Sequence, residues 1–423
     1  MLVKTYGSAV CGIDALKITI EVNIARGKKF FMVGLPDNAV KESWYRIAAA
    51  TTNIGFRIPV KRTTVNLAPA DIRKEGSAYD LPIAVGMLAA SGQINCDKVG
   101  DYIIMGELAL DGGLRPIKGA LSIAIKALES GFKGVILPKS NANEIAIVQG
   151  VEMLVANNLK EVIEFFNGDK QLHDCSVDMT DYYLQNEDNF NLDFSDVKGQ
   201  ENVKRGLEIA AAGGHNVILV GPPGSGKSML AKRMPTILPP LSLGEAMETT
   251  KIHSVAGILG NNGGLVTKRP FRSPHHTSSG AALVGGGSNP KPGEISLAHN
   301  GILFLDELPE FNRQVLEVMR QPIEDRVVTI SRAIASVDFP ANFMLVAAMN
   351  PSPSGNFYNP NETHPDSEYA VQRYLNKISG PLLDRIDLHI EVNPVPYNKL
   401  VCKGPQEGSL QIRERVLKAR TMQ

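Results

Sequence analysis

The sequence has no excess charge of either sign and no long apolar run. Its 44 basic side chains balance 44 acidic ones over 423 residues. A chain without net charge cannot attract a polyanion through its overall field, so any nucleic-acid binding must use local basic patches. No stretch approaches the roughly 18 apolar residues of a membrane span, and the N-terminus lacks a signal core. We therefore expect a soluble, cytoplasmic protein.

Cysteines are too few and too scattered to form a structural framework. Cys11, Cys96, Cys175 and Cys402 lie far apart, and no two of them have the C-x-x-C spacing. This distribution argues against a structural zinc site and against a disulfide scaffold. Unpaired thiols in a reducing compartment are the expected state.

The composition changes sharply once along the chain. Residues 171–196 carry seven acidic side chains and neither lysine nor arginine. Because such a polar run has little to bury, it predicts a linker. The predicted organisation is a front domain at 1–170, the linker, an α/β core at 197–395, and the start of a further helical region at 396–423.

The front domain alternates strand-like and helix-like patterns. Short apolar or alternating runs predict strands, at Ile18–Ile24, Phe30–Val33, Thr63–Leu67, Tyr102–Glu107 and Val135–Leu137. Helical patterns follow at Asn38–Ala50, with Asn38 as a candidate cap, and at Leu81–Ser91 and Ala120–Ser130. The pattern indicates a mixed α+β domain with short connections.

The back part contains a glycine-rich loop between a predicted strand, Asn216–Val220, and a helix. Residues Gly221–Ser228 read GPPGSGKS, which is the P-loop pattern G-x4-G-K-[ST]. Its glycines let backbone N–H groups wrap phosphates, and the next helix turns its positive end towards them. The loop predicts ATP as cofactor, bound through Gly221, Pro222, Pro223, Gly224, Ser225, Gly226, Lys227 and Ser228.

A second buried strand, Gly301–Leu305, ends in two adjacent carboxylates. Asp306 is predicted to hold Mg²⁺ together with Ser228, and Glu307 to polarise the attacking water as general base. Lys227 should reach the β- and γ-phosphates. An apolar run ending in two acids is commonly only a strand that leaves a core, but beside a P-loop the catalytic interpretation is favoured.

Two further polar residues complete the predicted site. A third strand, Phe343–Ala348, leads into Asn350, which can orient the water; a loop asparagine before proline is the alternative. Arg385 follows an apolar helix end, where an arginine from a neighbouring subunit can stabilise the transition state. A local ion pair with a flanking aspartate is the alternative for Arg385, and Arg373 is a second candidate for the role.

Arg269–Glu307 (RPFRSPHHTSSGAALVGGGSNPKPGEISLAHNGILFLDE) resembles the signature of magnesium-chelatase-like AAA+ proteins, specifically the YifB/ComM branch involved in bacterial competence. The resemblance covers essentially the whole chain. It implies an α/β P-loop core of the helix-2-insert clade, with a parallel sheet and flanking helices. It also implies a hexameric ring and a DNA helicase that promotes branch migration in recombination.

The same resemblance implies where a ring would contact single-stranded or branched DNA. Inserted elements line the pore in this clade, here about Ser254–Lys268 and in the hairpin Val327–Phe339. The implied contacts are Arg332, Lys268, Arg269 and Arg272; an ordinary ribbon with solvated arginines is the alternative. His275 and His276 could suggest a metal site, but adjacent side chains in a strand point to opposite faces, so a structural or hydrogen-bonding role is expected.

The family continues into a C-terminal helical lid with a second sensor arginine. Only the start of that lid is expected at 396–423. The helix predicted at Ser409–Arg420 meets the end of the chain without a helix stop signal. This pattern predicts a truncation within the lid.

The front domain resembles the S5-like proteolytic domain of Lon-type proteases. Lys74–Ala78 (KEGSA) lies where that family has its nucleophile in a K-D-G-P-S pattern. Ala78 occupies the serine position, with Ser77 one residue early, and the catalytic lysine position falls at Leu121. Lys118, three residues away, would face another neighbour. Because a Ser–Lys dyad needs both groups in contact, the domain is predicted to be proteolytically inactive and to bind DNA, a partner or the ring.

Two other functional classes share parts of this pattern. A chelatase motor that drives metal into a tetrapyrrole would carry the same ATPase motifs, but the Lon-like front domain argues against it. A remodeller of other molecules, or a scaffold without activity, is the further alternative. Intact Lys227, Asp306 and Glu307 oppose the scaffold.

Overall fold

The computed structural model describes residues 1–176, 191–259, 264–287, 290–331, 336–355, 366–396 and 406–423. They belong to two compact units. The first unit comprises Met1–Tyr182 with His253–Leu265, and the second comprises Tyr183–Ile252 with Val266–Gln423. Among the described residues, no helix is both long enough and apolar enough to cross a membrane.

The first unit is built on a mixed sheet. In chain order its strands are β1 (Leu2–Cys11), β2 (Asp14–Ala25), β3 (Phe30–Val33), β4 (Arg62–Ala68), β5 (Tyr102–Ile104), β6 (Glu107–Leu108), β7 (Leu114–Arg115), β8 (Gly134–Pro138), β9 (Glu152–Ala156) and β10 (His173–Asp174). The sheet order is β10-β9-β8-β5-β1-β2-β4-β3, so β3 is an edge strand, and β6 and β7 form a separate hairpin.

Helices cover this sheet at the face where its alternating apolar residues lie. They are α1 (Asn38–Lys41), α2 (Ser43–Asn53), α3 (Asp80–Ala90), α4 (Ala120–Glu129), α5 (Ala142–Ile145) and α6 (Leu159–Asn167). Helix α3 packs on β1 and β2 and is buried along its whole length. It approaches β2 so closely that a Cβ at Gly86 would lie 2.7 Å from Val22 Cγ2.

Two predictions for the front domain were wrong in detail. The predicted helix Asn38–Ala50 is two helices, and its cap is Asp37, whose carboxylate accepts a hydrogen bond from Val40 N at 2.7 Å. Asp37 and Asn38 are both good cap residues, and local sequence does not separate them. The predicted strand Tyr102–Glu107 ends at Ile104, because the chain turns where Gly106 N donates to Ala78 O at 2.8 Å.

The second unit is built on a parallel sheet. Its strands are β11 (Val217–Val220), β12 (Phe271–Arg272), β13 (Gly285–Gly286), β14 (Lys291–Pro292), β15 (Ile302–Leu305), β16 (Val327–Ser331), β17 (Ser336–Pro340), β18 (Met344–Met349) and β19 (Leu388–Glu391). The order is β12-β15-β18-β11-β19, and the pairs β13–β14 and β16–β17 are separate antiparallel ribbons.

Helices flank this sheet, so its central strands are buried on both faces and are apolar throughout. The helices are α7 (Glu201–Gly213), α8 (Lys227–Arg233), α9 (Leu243–Ala256), α10 (Gly280–Val284), α11 (Glu294–Leu297), α12 (Arg313–Val318), α13 (Arg320–Asp325), α14 (Glu368–Leu375), α15 (Gly380–Leu383) and α16 (Ser409–Met422). Helix α16 packs against α7 and places Ile412 and Val416 in the core.

Parts of the predicted linker and insert belong to folded structure. At the two ends of 171–196, β10 pairs with β9 and Phe194 is fully buried, while 177–190 lie outside the described residues. The predicted insert Ser254–Lys268 begins inside helix α9. Its residues up to Leu265 group with the first unit.

Asn216 joins three strands of the parallel sheet at their amino ends. Its Oδ1 accepts from Leu345 N at 2.9 Å, and its Nδ2 donates to Arg385 O at 2.9 Å. The side chain precedes β11 and is buried. One amide therefore fixes the start of β11 relative to β18 and to the segment that enters β19.

We predict that Asn216→Ala lowers the free energy of unfolding of the second unit by about 2 kcal/mol, because it leaves a buried N–H and a partly buried carbonyl without partners. Urea denaturation measures this change. Asn376→Ala removes an exposed amide and is the matched control, with an expected change under about 0.5 kcal/mol. Equal midpoints for the two variants would contradict the prediction.

Candidate nucleotide-binding site

The glycine-rich loop joins β11 to α8, and its backbone requires glycine at three positions. Gly224 and Gly226 have φ angles of +76° and +93°, in the left-handed region that other residues avoid. A Cβ at Gly221 would lie 2.2 Å from Val392 O, just beyond β19. The loop therefore has a fixed shape with backbone atoms exposed at its mouth.

Lys227 is held across this loop and is only 8% exposed. Its Nζ donates to Gly221 O at 2.7 Å, Pro222 O at 2.9 Å and Asn350 Oδ1 at 3.1 Å. Burial lowers the pKa of this ammonium, and the nearby Asp306 carboxylate acts in the opposite direction. An anion bound in the loop would offset the burial of this charge, and the same contacts bring Asn350 into the site.

The acidic end of β15 lies beside the loop because β15 pairs in parallel with β18, which pairs with β11. Ser228 Oγ donates to Asp306 Oδ2 at 2.7 Å, so the two predicted Mg²⁺ ligands are in contact. Glu307 follows in a left-handed conformation, with φ of +53°. Its backbone N–H donates to Asp306 Oδ1 at 3.0 Å, and its side chain is 58% exposed.

These residues fit a magnesium nucleotide. Ser225 Oγ is buried in the loop without a hydrogen-bond partner among the described groups. One carboxylate and one hydroxyl are typical of Mg²⁺ sites, in which phosphates and water complete the shell. The described part of the chain brings together no group of three or more His, Cys, Asp or Glu side chains that could hold a metal without such help.

A cleft of about 520 Å³ opens beside Glu307 and Asn350. Helix α14 and the turn after it contribute Arg373, Tyr374 and Lys377 to its wall. Burial raises the pKa of Tyr374 to about 12, so the phenol stays neutral. The sequence indicated Arg373 as a second candidate for the role of Arg385, but it did not indicate Tyr374 and Lys377.

His276 contacts the predicted general base, a contact the sequence did not indicate. Its Nδ1 lies 3.3 Å from Glu307 Oε2. The expectation that His275 and His276 point to opposite faces was wrong, because they lie in a turn beyond β12 and their ring centroids are 4.1 Å apart. His276 is therefore placed to orient the Glu307 carboxylate.

Arg385 lies at the end of the sheet opposite the loop. Its carbonyl bonds to Asn216, which precedes β11, whereas the loop follows β11. At about 3.3 Å per residue the two ends are on the order of 15 Å apart. Arg385 Nη1 donates to Pro381 O at 2.6 Å and the guanidinium pairs with Glu324, leaving Nε buried without a partner among the described groups.

Two of the arginines predicted to contact DNA are bonded within their own chain. Arg269 has a side chain 12% exposed and donates to Pro239 O at 2.6 Å and Asn300 O at 2.7 Å. Arg272 makes a two-point pair with Glu294 at 2.6 and 2.7 Å. Lys268 is exposed, and Arg332 lies outside the described residues. Arg269 and Arg272 therefore serve to fix the segment around β12.

The Lon-like position in the first unit has a carboxylate where a dyad needs an amine. Ser77 Oγ donates to the Glu107 carboxylate, which also pairs with Arg115 at 3.2 Å. Ala78 follows Ser77 in a short 3-10 turn, and Leu121 is fully buried in α4. Ala78 and Leu121, at the two positions of the dyad, carry neither a nucleophile nor an amine.

Comparison with known proteins places these features in a family. Residues 193–400 match the family described as magnesium chelatase, subunit ChlI, and residues 20–141 match subunit ChlI of Mg-chelatase. The chain is 48% identical to Escherichia coli YifB over 98% of this chain and 81% of that protein. It is 47% identical to Haemophilus influenzae competence protein ComM over 100% of this chain and 82% of that protein.

The chain also has a weaker similarity to Lon proteases. Lon protease 2 of Bacillus subtilis is 28% identical over 187 residues, which is 38% of this chain and 33% of that protein. The fold is thus an AAA+ P-loop core preceded by an α+β domain similar to that of Lon. The chain belongs to the YifB/ComM family of magnesium-chelatase-like AAA+ proteins.

Proposed function

We propose that this chain is an ATP-hydrolysing ring motor that acts on DNA, as a hexameric helicase that promotes branch migration. The observation that supports ATPase activity is one connected set of hydrogen bonds. Lys227 donates to Asn350 and to the Gly221 carbonyl in the loop, and the next residue, Ser228, donates to Asp306. These residues come from three adjacent parallel strands whose carboxyl ends meet at one edge. Such an edge is where α/β sheets bind nucleotides.

Each residue has a distinct task in hydrolysis. Lys227 binds the β- and γ-phosphates, and Ser228 and Asp306 would hold Mg²⁺, which would neutralise charge on the phosphates. Glu307 accepts a proton from the attacking water, while Asn350 orients that water. Water adds to the γ-phosphorus as the bond to the β-γ bridging oxygen breaks, which gives ADP and phosphate.

The name of one relative favours DNA over a tetrapyrrole as the substrate. The Haemophilus relative is named a competence protein, and competence is the uptake of DNA by bacteria. The deciding experiment is the ATPase rate with and without single-stranded and forked DNA across salt concentrations; no response to either DNA would contradict the proposal.

Two substitutions should separate binding of ATP from its hydrolysis. We expect Lys227→Ala to abolish nucleotide binding, because it removes the buried cation of the loop. Glu307→Gln should bind ATP and fail to hydrolyse it, because the amide cannot accept the proton. Fluorescent-nucleotide binding and phosphate release measure the two steps. Hydrolysis by Glu307→Gln at the parent rate would show that Glu307 is not the base.

His276 should act on the rate and not on nucleotide binding. We expect His276→Ala to lower kcat about tenfold with unchanged nucleotide affinity, because Glu307 loses the group that orients it; that factor corresponds to about 1.4 kcal/mol in the barrier. His173→Ala, which changes an exposed histidine of strand β10 in the first unit, is the matched control. Equal kcat values for the two variants would exclude the role.

Arg385 should act on the nucleotide of a neighbouring subunit, because it is too far from its own loop. Arg385→Ala and Lys227→Ala should each be inactive alone. Mixed rings contain some interfaces with an intact loop and an intact arginine, so mixing should restore part of the ATPase rate. Normal turnover of Arg385→Ala, or no recovery when mixed rings form, would make Arg373 the better candidate.

A further inference from the structure

The first unit carries a concentration of positive charge that the nucleotide site does not use. Residues 25–36 and 54–70 contain six basic side chains and no acidic one. We call this set, with Phe31, the basic edge: Arg26, Lys28, Lys29, Arg57, Lys61 and Arg62. The whole chain has no net charge, so it cannot attract a polyanion through its overall field. A local basic patch of this kind is what would bind one.

The two segments are neighbours in the fold. Ala25 pairs with Arg62 where β2 meets β4, and Thr63 N donates to Lys29 O at 3.0 Å. A cleft of about 510 Å³ opens between them, with Arg26, Lys28 and Lys61 in its wall.

The charges of this set are available to a ligand. All six basic residues are exposed, and none of them forms an ion pair with a carboxylate in the described part of the chain. The fold thus holds several unneutralised cations around one concave surface. Their mutual repulsion would be relieved by a bound chain of anions.

An aromatic platform lies beside these cations. Phe31 is on the edge strand β3 and is 41% exposed, and the Arg62 guanidinium carbon lies 5.2 Å from its ring centroid. Aromatic rings and arginine planes are surfaces on which unpaired bases stack. Glu21, an acid on β2, which is separated from β3 by β4, is bound by Lys4 at 3.3 Å and Asn66 at 3.0 Å.

We propose that the basic edge binds single-stranded nucleic acid, with its phosphates along the cleft and a base stacked on Phe31. Cations alone would suit any polyanion, but an exposed ring beside them favours a ligand that alternates phosphates with flat bases. A duplex keeps its bases stacked inside and could not use the ring. The inference rests on the proposed function in that the bound strand would be the substrate of the motor.

The test is binding of a labelled thymidine oligonucleotide, by fluorescence anisotropy, to the whole chain at several salt concentrations. Lys28→Ala/Lys61→Ala should reduce the slope of log K against log salt by about 1.4, at about 0.7 for each lost phosphate contact. Lys98→Ala/Lys139→Ala removes two exposed lysines elsewhere in the same unit and should keep the parent slope. Lys28→Arg/Lys61→Arg should also keep it.

Phe31→Leu tests the platform separately from the charges. It retains an apolar side chain and removes the aromatic face, so affinity should fall about tenfold with an unchanged salt slope. All variants change exposed residues, and thermal melting verifies that they fold. Displacement of the oligonucleotide by polyglutamate at equal charge concentration would overturn the proposal, because a protein-like polyanion would then serve as well.

The outcomes separate this site from the motor. If DNA stimulates the parent ATPase but Lys28→Ala/Lys61→Ala binds with parent affinity and slope, the basic edge is overturned and the motor stands. If that variant loses binding while DNA leaves the parent ATPase unchanged, the basic edge stands and the motor fails. A parent that binds no oligonucleotide overturns the basic edge, and the response of the ATPase rate to forked DNA then decides the motor.

Discussion

Parallel pairing of β11, β15 and β18 is the constraint on which the site depends. Leu305 pairs with Ala347, and Val220 pairs with Met349, so the carboxyl ends of the three strands lie at one edge of the sheet. The residues that follow each strand lie beyond this edge. Lys227 then becomes the common partner of the loop and of Asn350. A slip of one residue in either pairing would separate these groups and turn side chains to the other face.

The parts of the site that the sequence predicts are those that local chemistry determines. Gly224 and Gly226 must be glycine because their φ angles are positive, and Asp306 follows a strand whose apolar run is unmistakable. The contacts of Ser228 with Asp306 and of Lys227 with Asn350 are as expected for a P-loop protein. Strands β2, β3, β4 and β8 and helices α3 and α4 of the first unit also follow from periodicity, whereas strand β1 and the short helices between β12 and β18 were not predicted.

The parts that the sequence does not predict depend on packing between distant segments. His276 meets Glu307 only because the segment after β12 is a turn and β12 pairs with β15. Arg269 looks like a surface cation in the sequence, yet its partners are carbonyls about 30 residues away on either side. Contacts of this kind join residues that are far apart in the chain, so they produce no local pattern in the sequence from which they could be predicted.

Strand β19 links Arg385 to the phosphate loop. Arg385 lies three residues before the strand begins, and just after its last residue Val392 N donates to Val220 O at 2.7 Å while Val392 O faces Gly221. One short, hydrogen-bonded segment thus connects the arginine that we propose to act on a neighbouring subunit with the phosphate loop. By thermodynamic reciprocity, if assembly shifts this segment and thereby changes ATP affinity, ATP changes the affinity of the subunits for each other by the same factor.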